Sequence, residues 1–225
     1  AVAASASMGE RKFAVTSQLF PPELLLSVAL GIALAAAAGL RIFVPLLVLS
    51  IAAVTGRVEL AGGLAWIGTV PALIVFAVAT VAEVATYYVP WVDNALDWLG
   101  APLAITAGAL LAASNLADTD PMLRWVLAAV TGGGTAGTVH VVFAVIRKLS
   151  SLTTVGLANP ILSTAEAGGS LAVSLLALAL PLLSLLLLAV AAALLLRAAR
   201  RWRVRQKLTY NSVARSCEVG AVALG

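Results

Sequence analysis

Long apolar runs separated by short polar stretches form the main pattern along the chain. The first run, Leu24–Thr55, is apolar apart from Arg41. As one helix it would be about 48 Å long, against a hydrocarbon core of about 30 Å. Gly39 lowers helix propensity and Pro45 removes a backbone donor, so we expect a break between them. The run is therefore predicted to form two short helices or one kinked helix.

Four further apolar runs follow, with an amphipathic stretch between the first two of them. Their bounds are Thr69–Val89, Ala101–Ala117, Met122–Ile146 and Ser170–Leu196. The second run is at the lower length limit of a membrane span and is predicted to be tilted or re-entrant, whereas the others are long enough to cross. Pro90–Gly100 mixes Trp with Asp, which predicts a helix in the headgroup layer.

Arg147–Gly169 is a polar, glycine-containing connection, long for a loop without structure of its own. Two interpretations stay open for the part that precedes Glu166. Its small polar residues could form a broken-helix site for an ion or small polar solute; they are Thr153, Thr154, Gly156, Asn159 and Pro160. Alternatively, the segment is a turn followed by a helix that Ser163 or Thr164 caps.

The predicted fold is all-α: a polytopic integral membrane helix bundle with five to six hydrophobic segments, some kinked or re-entrant. We expect an N-terminal polar tail over 1–22, a transmembrane domain over 23–200 and a basic C-terminal tail over 201–225. Composition supports a membrane environment, since 62% of the residues are hydrophobic and 11% charged. An average soluble domain has roughly 45–50% apolar and 25% charged residues.

The two tails carry much of the charge outside the apolar runs. The net charge is +4, but seven of the 14 basic residues follow the last apolar run, where the positive-inside rule explains them without a nucleic-acid partner. Five are predicted to contact lipid headgroups or a protein partner: Arg197, Arg200, Arg201, Arg203 and Arg205. Ala1–Phe20 is rich in Ala and Ser and resembles the region around the cleavage site of an organellar transit peptide, or an expression remnant.

Arg41, Glu83 and His140 are ionisable residues that lie well inside the apolar runs. A charge in the middle of the bilayer costs about 2.5–3.5 kcal/mol on insertion scales, so each needs a partner. Arg41 and Glu83 have opposite signs and are predicted to pair through a guanidinium–carboxylate fork. Such a pair is either a substrate or proton site or a structural link between two helices, and we prefer the structural interpretation.

His140 shares one helix face with Gly133, Gly137 and Ala144. The Gly133–Gly137 pair predicts close helix packing, across which the imidazole forms an interhelical hydrogen bond rather than a proton relay. Glycines at 132, 134 and 137 also match the dinucleotide-binding pattern G-x-G-x-x-G. That interpretation requires a preceding strand, whereas the residues before the glycines continue a membrane helix.

The sequence offers no set of catalytic groups. It has no Walker-type loop, no G-x-S-x-G elbow and no H-E-x-x-H motif, and its one histidine and one cysteine lie far apart. We therefore expect no catalytic residue, no metal site and no cofactor.

Several short motifs follow one another along the chain. They are Gly39-Leu40-Arg41 before Pro45, Glu83 before Pro90 and Asp93, Gly100-Ala101-Pro102, Gly132–Gly134 before His140, and Thr153-Thr154 before Gly156–Pro160 and Glu166. In these residues, and over approximately Leu24–Arg201, the chain resembles an uncharacterised membrane family, domain of unknown function 4126. The resemblance implies a polytopic architecture without a known mechanism. It also implies that Arg41, Glu83, His140 and the Asn159-Pro160 loop form one intramembrane constellation. The candidate intramembrane polar site is therefore Arg41, Glu83, His140, Asn159 and Glu166.

The family is bacterial with relatives in plants and algae, and the two tails fit a processed plastid protein. We therefore expect a chloroplast membrane, envelope or thylakoid, with a bacterial inner membrane as the alternative. The favoured function is a non-enzymatic structural or assembly subunit of a larger membrane complex, because smooth Ala- and Gly-rich helix faces suit contact with other subunits and with lipids. The alternative is a small-solute or ion transporter that uses the intramembrane Arg, Glu and His residues.

Overall fold

The computed structural model describes residues 22–85, 90–117, 119–154 and 159–197, and within these ranges the chain is helical and forms no strand. Its helices are α1 (Pro22–Leu40), α2 (Phe43–Val54), α3 (Val70–Ala85), α4 (Pro90–Ser114), α5 (Pro121–Leu127), α6 (Gly134–Thr154), α7 (Asn159–Ala179) and α8 (Pro181–Arg197). A 3-10 helix, Gly62–Gly68, precedes α3, and a π-helical turn, Ala128–Gly133, joins α5 to α6. The predicted all-α class is confirmed.

Among the described residues, three helical stretches are long and apolar enough to cross a membrane: Glu23–Leu40, Pro121–Ser150 and Leu162–Ala179. The 3-10 helix and α3 together form a fourth candidate, bent by 63°. Shorter apolar helices are also present: Phe43–Val54, Leu99–Ser114 and Pro181–Arg197. The protein is thus a helical membrane bundle in which kinked and partial spans accompany the full ones.

The chain divides into two compact units, Ala1–Leu185 and Leu186–Gly225. The core of the first unit surrounds α1, which packs against α4, α6 and α7. Much of α1 is alanine, and Ala33, Ala35 and Ala37 are fully buried. Small side chains let the neighbouring backbones approach closely, which is how helices associate when lipid is the solvent. In the second unit, the described residues are the last turns of α8.

The predicted break in the first apolar run is confirmed, because α1 ends at Leu40 and α2 begins at Phe43. Gly39 is needed just before the break for a packing reason. A Cβ added there would overlap the carbonyl oxygen of Ala136 and the side chain of Val139 on α6. The continuous span predicted for Met122–Ile146 is also found, as the helical stretch Pro121–Ser150.

The predicted division between Pro90–Gly100 and Ala101–Ala117 is wrong, because α4 runs unbroken from Pro90 to Ser114 with Pro102 inside it. A proline removes one backbone donor, and membrane helices tolerate this when neighbouring helices hold them in place. Close packing of α4 on the π-helical turn and α6 supplies that support.

The predicted loop Arg147–Gly169 is also wrong for most of its length, because α6 continues to Thr154 and α7 begins at Asn159. Ser163 and Thr164 therefore lie inside α7 and do not cap it. Three polar residues of this region, Arg147, Ser163 and Glu166, contact other helices, as described below.

The single span predicted for Ser170–Leu196 is interrupted at Leu180, between α7 and α8. Pro181 is the cause, since a proline lacks the backbone donor and disfavours helical geometry at the residue before it. Both predicted tails lie outside the described residues, apart from Pro22.

Candidate functional site

The break between α1 and α2 places Arg41 in the protein interior, where it is 3% exposed. Its backbone N–H still donates to the carbonyl of Ala37, so Arg41 completes the last turn of α1. One guanidinium nitrogen donates to both the hydroxyl and the carbonyl oxygen of Ser163 on α7, the latter at 3.1 Å. The other terminal nitrogen donates to the carbonyl of Glu83 on α3, at 3.4 Å. Arg41 therefore joins the helix break to two other helices.

The carboxylate of Glu83 caps the N-terminus of α2 from a different helix. It accepts hydrogen bonds from the backbone N–H groups of Ile42, at 2.8 Å, and Phe43, at 3.1 Å. Ile42, at the N-cap position, makes no side-chain capping bond of its own. The first N–H groups of a helix lack intrahelical acceptors, and a negative charge at that end also interacts favourably with the helix dipole. Glu83 supplies both the acceptors and the charge.

An ion pair joins α6 to α7. Arg147 donates to the carboxylate of Glu166 across 2.8 Å, with 22% of the arginine side chain and none of the glutamate side chain exposed. The other carboxylate oxygen of Glu166 is buried and accepts no hydrogen bond from the residues that the structure describes. Burying such a pair is favourable only when good geometry compensates for lost hydration.

The side chains in these contacts form one network, which we call the charge cluster: Arg41, Glu83, Arg147 and Glu166, with Ser163. Both arginines attract both carboxylates electrostatically. The cluster contains two positive and two negative side chains, drawn from the α1–α2 break and from α3, α6 and α7. An interior of low dielectric favours this balance, since a single charge there would be costly. The arrangement offers ion pairing and hydrogen bonding.

Three of the residues predicted for an intramembrane site, Arg41, Glu83 and Glu166, are thus brought together. The predicted fork between the guanidinium of Arg41 and the carboxylate of Glu83 is not among the contacts described above. Instead, Arg41 donates to the backbone carbonyl of Glu83, and the Glu83 carboxylate accepts from backbone N–H groups. The sequence does not identify Arg147 and Ser163 as site residues, because it places Arg147 in a polar connection and indicates Ser163 only as a helix cap. Opposite charges at 147 and 166, each beside an apolar run, were the available signal that two adjacent helices pair there.

The remaining predicted site residues lie elsewhere or outside the description. His140 lies over α4, where a Cβ on Gly100 would be 2.8 Å from its Nε2 atom. Asn159 is the first residue of α7, but its side chain is not among those described. Arg197 is exposed at the end of α8, and the other four tail arginines lie outside the described residues.

Glycines on the π-helical turn and on α6 pack closely against α4. At Gly133 and Gly137, an added Cβ would lie 3.2 Å and 2.8 Å from the side chain of Ile105. Gly132 comes closer still, because an added Cβ there would overlap the carbonyl oxygen of Gly108. Within the described ranges, no three His, Cys, Asp or Glu side chains are placed to share a metal ion.

The link between α6 and α7 can be tested with apolar replacements. Arg147→Met should destabilise the protein by about 1–3 kcal/mol, because it leaves the buried Glu166 carboxylate without its cation. The double variant Arg147→Met/Glu166→Leu should return to within about 1 kcal/mol of the wild type, since apolar side chains of similar size often replace a buried pair without loss. Unfolding in mixed detergent micelles measures both. Strictly additive effects of the two single variants would contradict the pairing.

Comparison with known proteins adds one match. A family model described as "Domain of unknown function (DUF4126)" matches residues 28–201, which include every member of the charge cluster. No curated protein and no solved structure matches the chain.

Proposed function

Because the chain belongs to the family described as domain of unknown function 4126, whose description names no activity, we propose a function from the geometry of its charge cluster. The proposal is a non-enzymatic integral membrane protein that serves as a structural or assembly subunit of a larger membrane complex. The observation that carries it is that the charged groups of the cluster bind one another and the N-terminus of α2, with Arg41 and Glu166 buried.

The cluster is better suited to holding helices together than to binding a solute. Arg41 and Glu166 are 3% and 2% exposed, so an incoming ligand would have to separate packed helices to reach them. The guanidinium of Arg41 and the carboxylate of Glu83 are already engaged by groups of α2, α3 and α7. A buried ion pair that loses one partner is strongly destabilised, which keeps such contacts in place.

Small residues on an outward face of the bundle support contact with other subunits. Val130, Gly134 and Thr138 are exposed and lie four residues apart on the π-helical turn and α6, so they share one face. A Cβ on Gly134 would meet nothing within 4 Å, which leaves room for a neighbouring backbone. In lipid, helices associate through such small-residue faces rather than through hydrophobicity.

Purification from native membrane in mild detergent tests the subunit role. We expect the protein to elute with other membrane proteins, and Gly134→Trp to release them because the side chain fills the outward face. Ala82→Trp, on an exposed position of α3, is the matched control and should leave the assembly intact. A wild-type protein that runs as a monodisperse monomer with nothing bound would contradict the proposal.

A transporter is the second candidate, favoured by the buried oxygen of Glu166 that accepts no hydrogen bond from the described residues. Buried carboxylates beside interrupted helices occur on ion pathways, and here α1 is interrupted at Leu40 and the α5–α6 helix by its π-helical turn.

Proton flux into liposomes separates the two candidates. The structural proposal predicts that liposomes with the wild-type protein leak no faster than empty ones. Flux above that background which Glu166→Gln abolishes, with Glu59→Gln as the exposed control, would favour the transporter instead.

For location we propose a plastid membrane, envelope or thylakoid, with a bacterial inner membrane as the alternative. The support is the composition of residues 1–20, rich in Ala and Ser with Arg11 and Lys12, and the basic tail. Membrane fractionation with a tagged protein tests this, and recovery from a non-plastid membrane would contradict it.

A further inference from the structure

A cavity of about 570 Å³ lies between the C-terminal half of α2 and the C-terminal half of α7. We call it the α2–α7 cavity. Its volume falls in the range of about 300–1,000 Å³ that is typical of sites for small organic ligands. Most of its wall is aliphatic, with Ile51 on the α2 side and Leu171 and Leu175 on the α7 side. The cavity is separate from the charge cluster, since no member of the cluster lines it.

Arg57 gives this cavity a polar end. Gly56 adopts a φ of 72°, a left-handed conformation that glycine tolerates, and the N–H of Arg57 then bonds back to the carbonyl of Ala52 at 2.9 Å. The turn places the exposed guanidinium beside the end of α2. Arg57 is the charged residue among those lining the cavity, and the nearby acid Glu59 is not part of the lining.

The position of the cavity favours lipid as the occupant. Ile51 and Leu175 are 46% and 54% exposed, and in a chain that spans the membrane such side chains face acyl chains. Leu162–Ala179 is one of the candidate spans, and the cavity follows its final turns to the end. An arginine beyond the end of an apolar helix is suited to the headgroup layer, where it interacts with anionic lipids.

We propose that the α2–α7 cavity binds one anionic glycerolipid, with an acyl chain between α2 and α7 and the headgroup on Arg57. The apolar wall suits an acyl chain and the cationic end suits an anionic headgroup, and these two matches support the assignment. A free anion would make no use of the aliphatic wall, and a zwitterionic lipid would bring its own cationic group close to the guanidinium. The assignment stands independently of the structural role proposed for the charge cluster.

Native mass spectrometry of the detergent-purified protein tests the site, with phosphatidylglycerol and phosphatidylcholine of identical acyl chains as probes. We expect one phosphatidylglycerol to stay bound after extensive washing, at about tenfold higher occupancy than phosphatidylcholine, because both lipids offer a phosphate to Arg57 but the choline of phosphatidylcholine cancels its net charge. Arg57→Gln should remove most of this preference. Lys148→Gln, which removes an exposed cation from α6, should leave it unchanged.

A second pair of variants tests the apolar wall without altering charge. Leu175→Trp should lower retention of both lipids by filling the cavity, whereas Val78→Trp, on an exposed position of α3, should not. Equal retention of the two lipids, or a preference that survives Arg57→Gln, would overturn the proposal. So would a second copy of this chain that occupies the cavity, detected as a dimer that Leu175→Trp dissociates.

Discussion

Replacing Glu83 by alanine should destabilise the folded protein by about 3–5 kcal/mol, the loss expected when one member of a buried charge pair is removed. Two effects act together. The N–H groups of Ile42 and Phe43 lose the carboxylate that accepts their hydrogen bonds, and the buried Arg41 loses a compensating negative charge. Reversible unfolding in mixed micelles of a mild detergent and dodecyl sulfate, followed by tryptophan fluorescence, measures the free energy of unfolding.

Two further variants separate the charge from the cap. Glu83→Gln keeps one acceptor oxygen for the α2 N-terminus and should fall between the wild type and Glu83→Ala. Glu59→Ala removes an exposed carboxylate and should change stability by less than about 0.5 kcal/mol. If Glu83→Ala were as mild as Glu59→Ala, the carboxylate would not hold the α1–α2 break, and the structural proposal would lose its main support.

Gly132→Leu should prevent the bundle from forming at all. A Cβ at this position would overlap the carbonyl of Gly108 and the Cβ of Ala112, so the obstacle is the neighbouring helix itself rather than the end of a flexible side chain. Even the smaller change Gly132→Ala should cost about 1–3 kcal/mol, the usual effect of overpacking. A marginally stable protein cannot absorb the larger change. Size-exclusion chromatography of a fluorescent fusion should show aggregate in place of the wild-type peak.

Gly134, two residues along the same helix, provides the matched control. A Cβ there would meet nothing within 4 Å. Gly134→Ala should therefore be neutral or stabilising by up to about 1 kcal/mol, because alanine favours a helix more than glycine does. If Gly132→Ala and Gly134→Ala had the same effect on thermal stability, close approach of α4 to the π-helical turn would not be the reason for the glycine at 132.

The helix break at Arg41 could be predicted from sequence because its causes are local. The run Leu24–Thr55 is too long for the bilayer, and Gly39 and Pro45 mark where it is weakest. Pro102 is a local signal of the same kind but does not interrupt α4, which packs against the π-helical turn and α6. The rule that proline weakens a helix thus predicts a break near both Pro45 and Pro102, but a break is found only near Pro45. The packing of neighbouring helices distinguishes the two positions.

In the charge cluster, too, some residues could be predicted from the sequence and others could not. Arg41 and Glu83 stood out because each is isolated in an apolar run, where an ionic group requires a partner. Arg147 and Glu166 lie in a more polar stretch, where charges are expected in solvent. Their burial follows from the way α6 and α7 pack, which the hydropathy of either segment alone does not reveal. A serine hydroxyl can cap a helix or accept a hydrogen bond from another helix, and the sequence around Ser163 does not distinguish these roles. The contact with Arg41 depends on tertiary structure.

The contact between Arg41 and Ser163 spans 122 positions of the chain, which has a consequence for biosynthesis. At about 5–20 residues per second, a ribosome needs roughly 6–24 s to travel that distance. In the later part of this interval the guanidinium has left the exit tunnel of the ribosome, but its partner on α7 has not been made. Nascent α1 and α2 therefore need water or an insertion factor to shelter the arginine, and chains that terminate early should be substrates for membrane quality-control proteases.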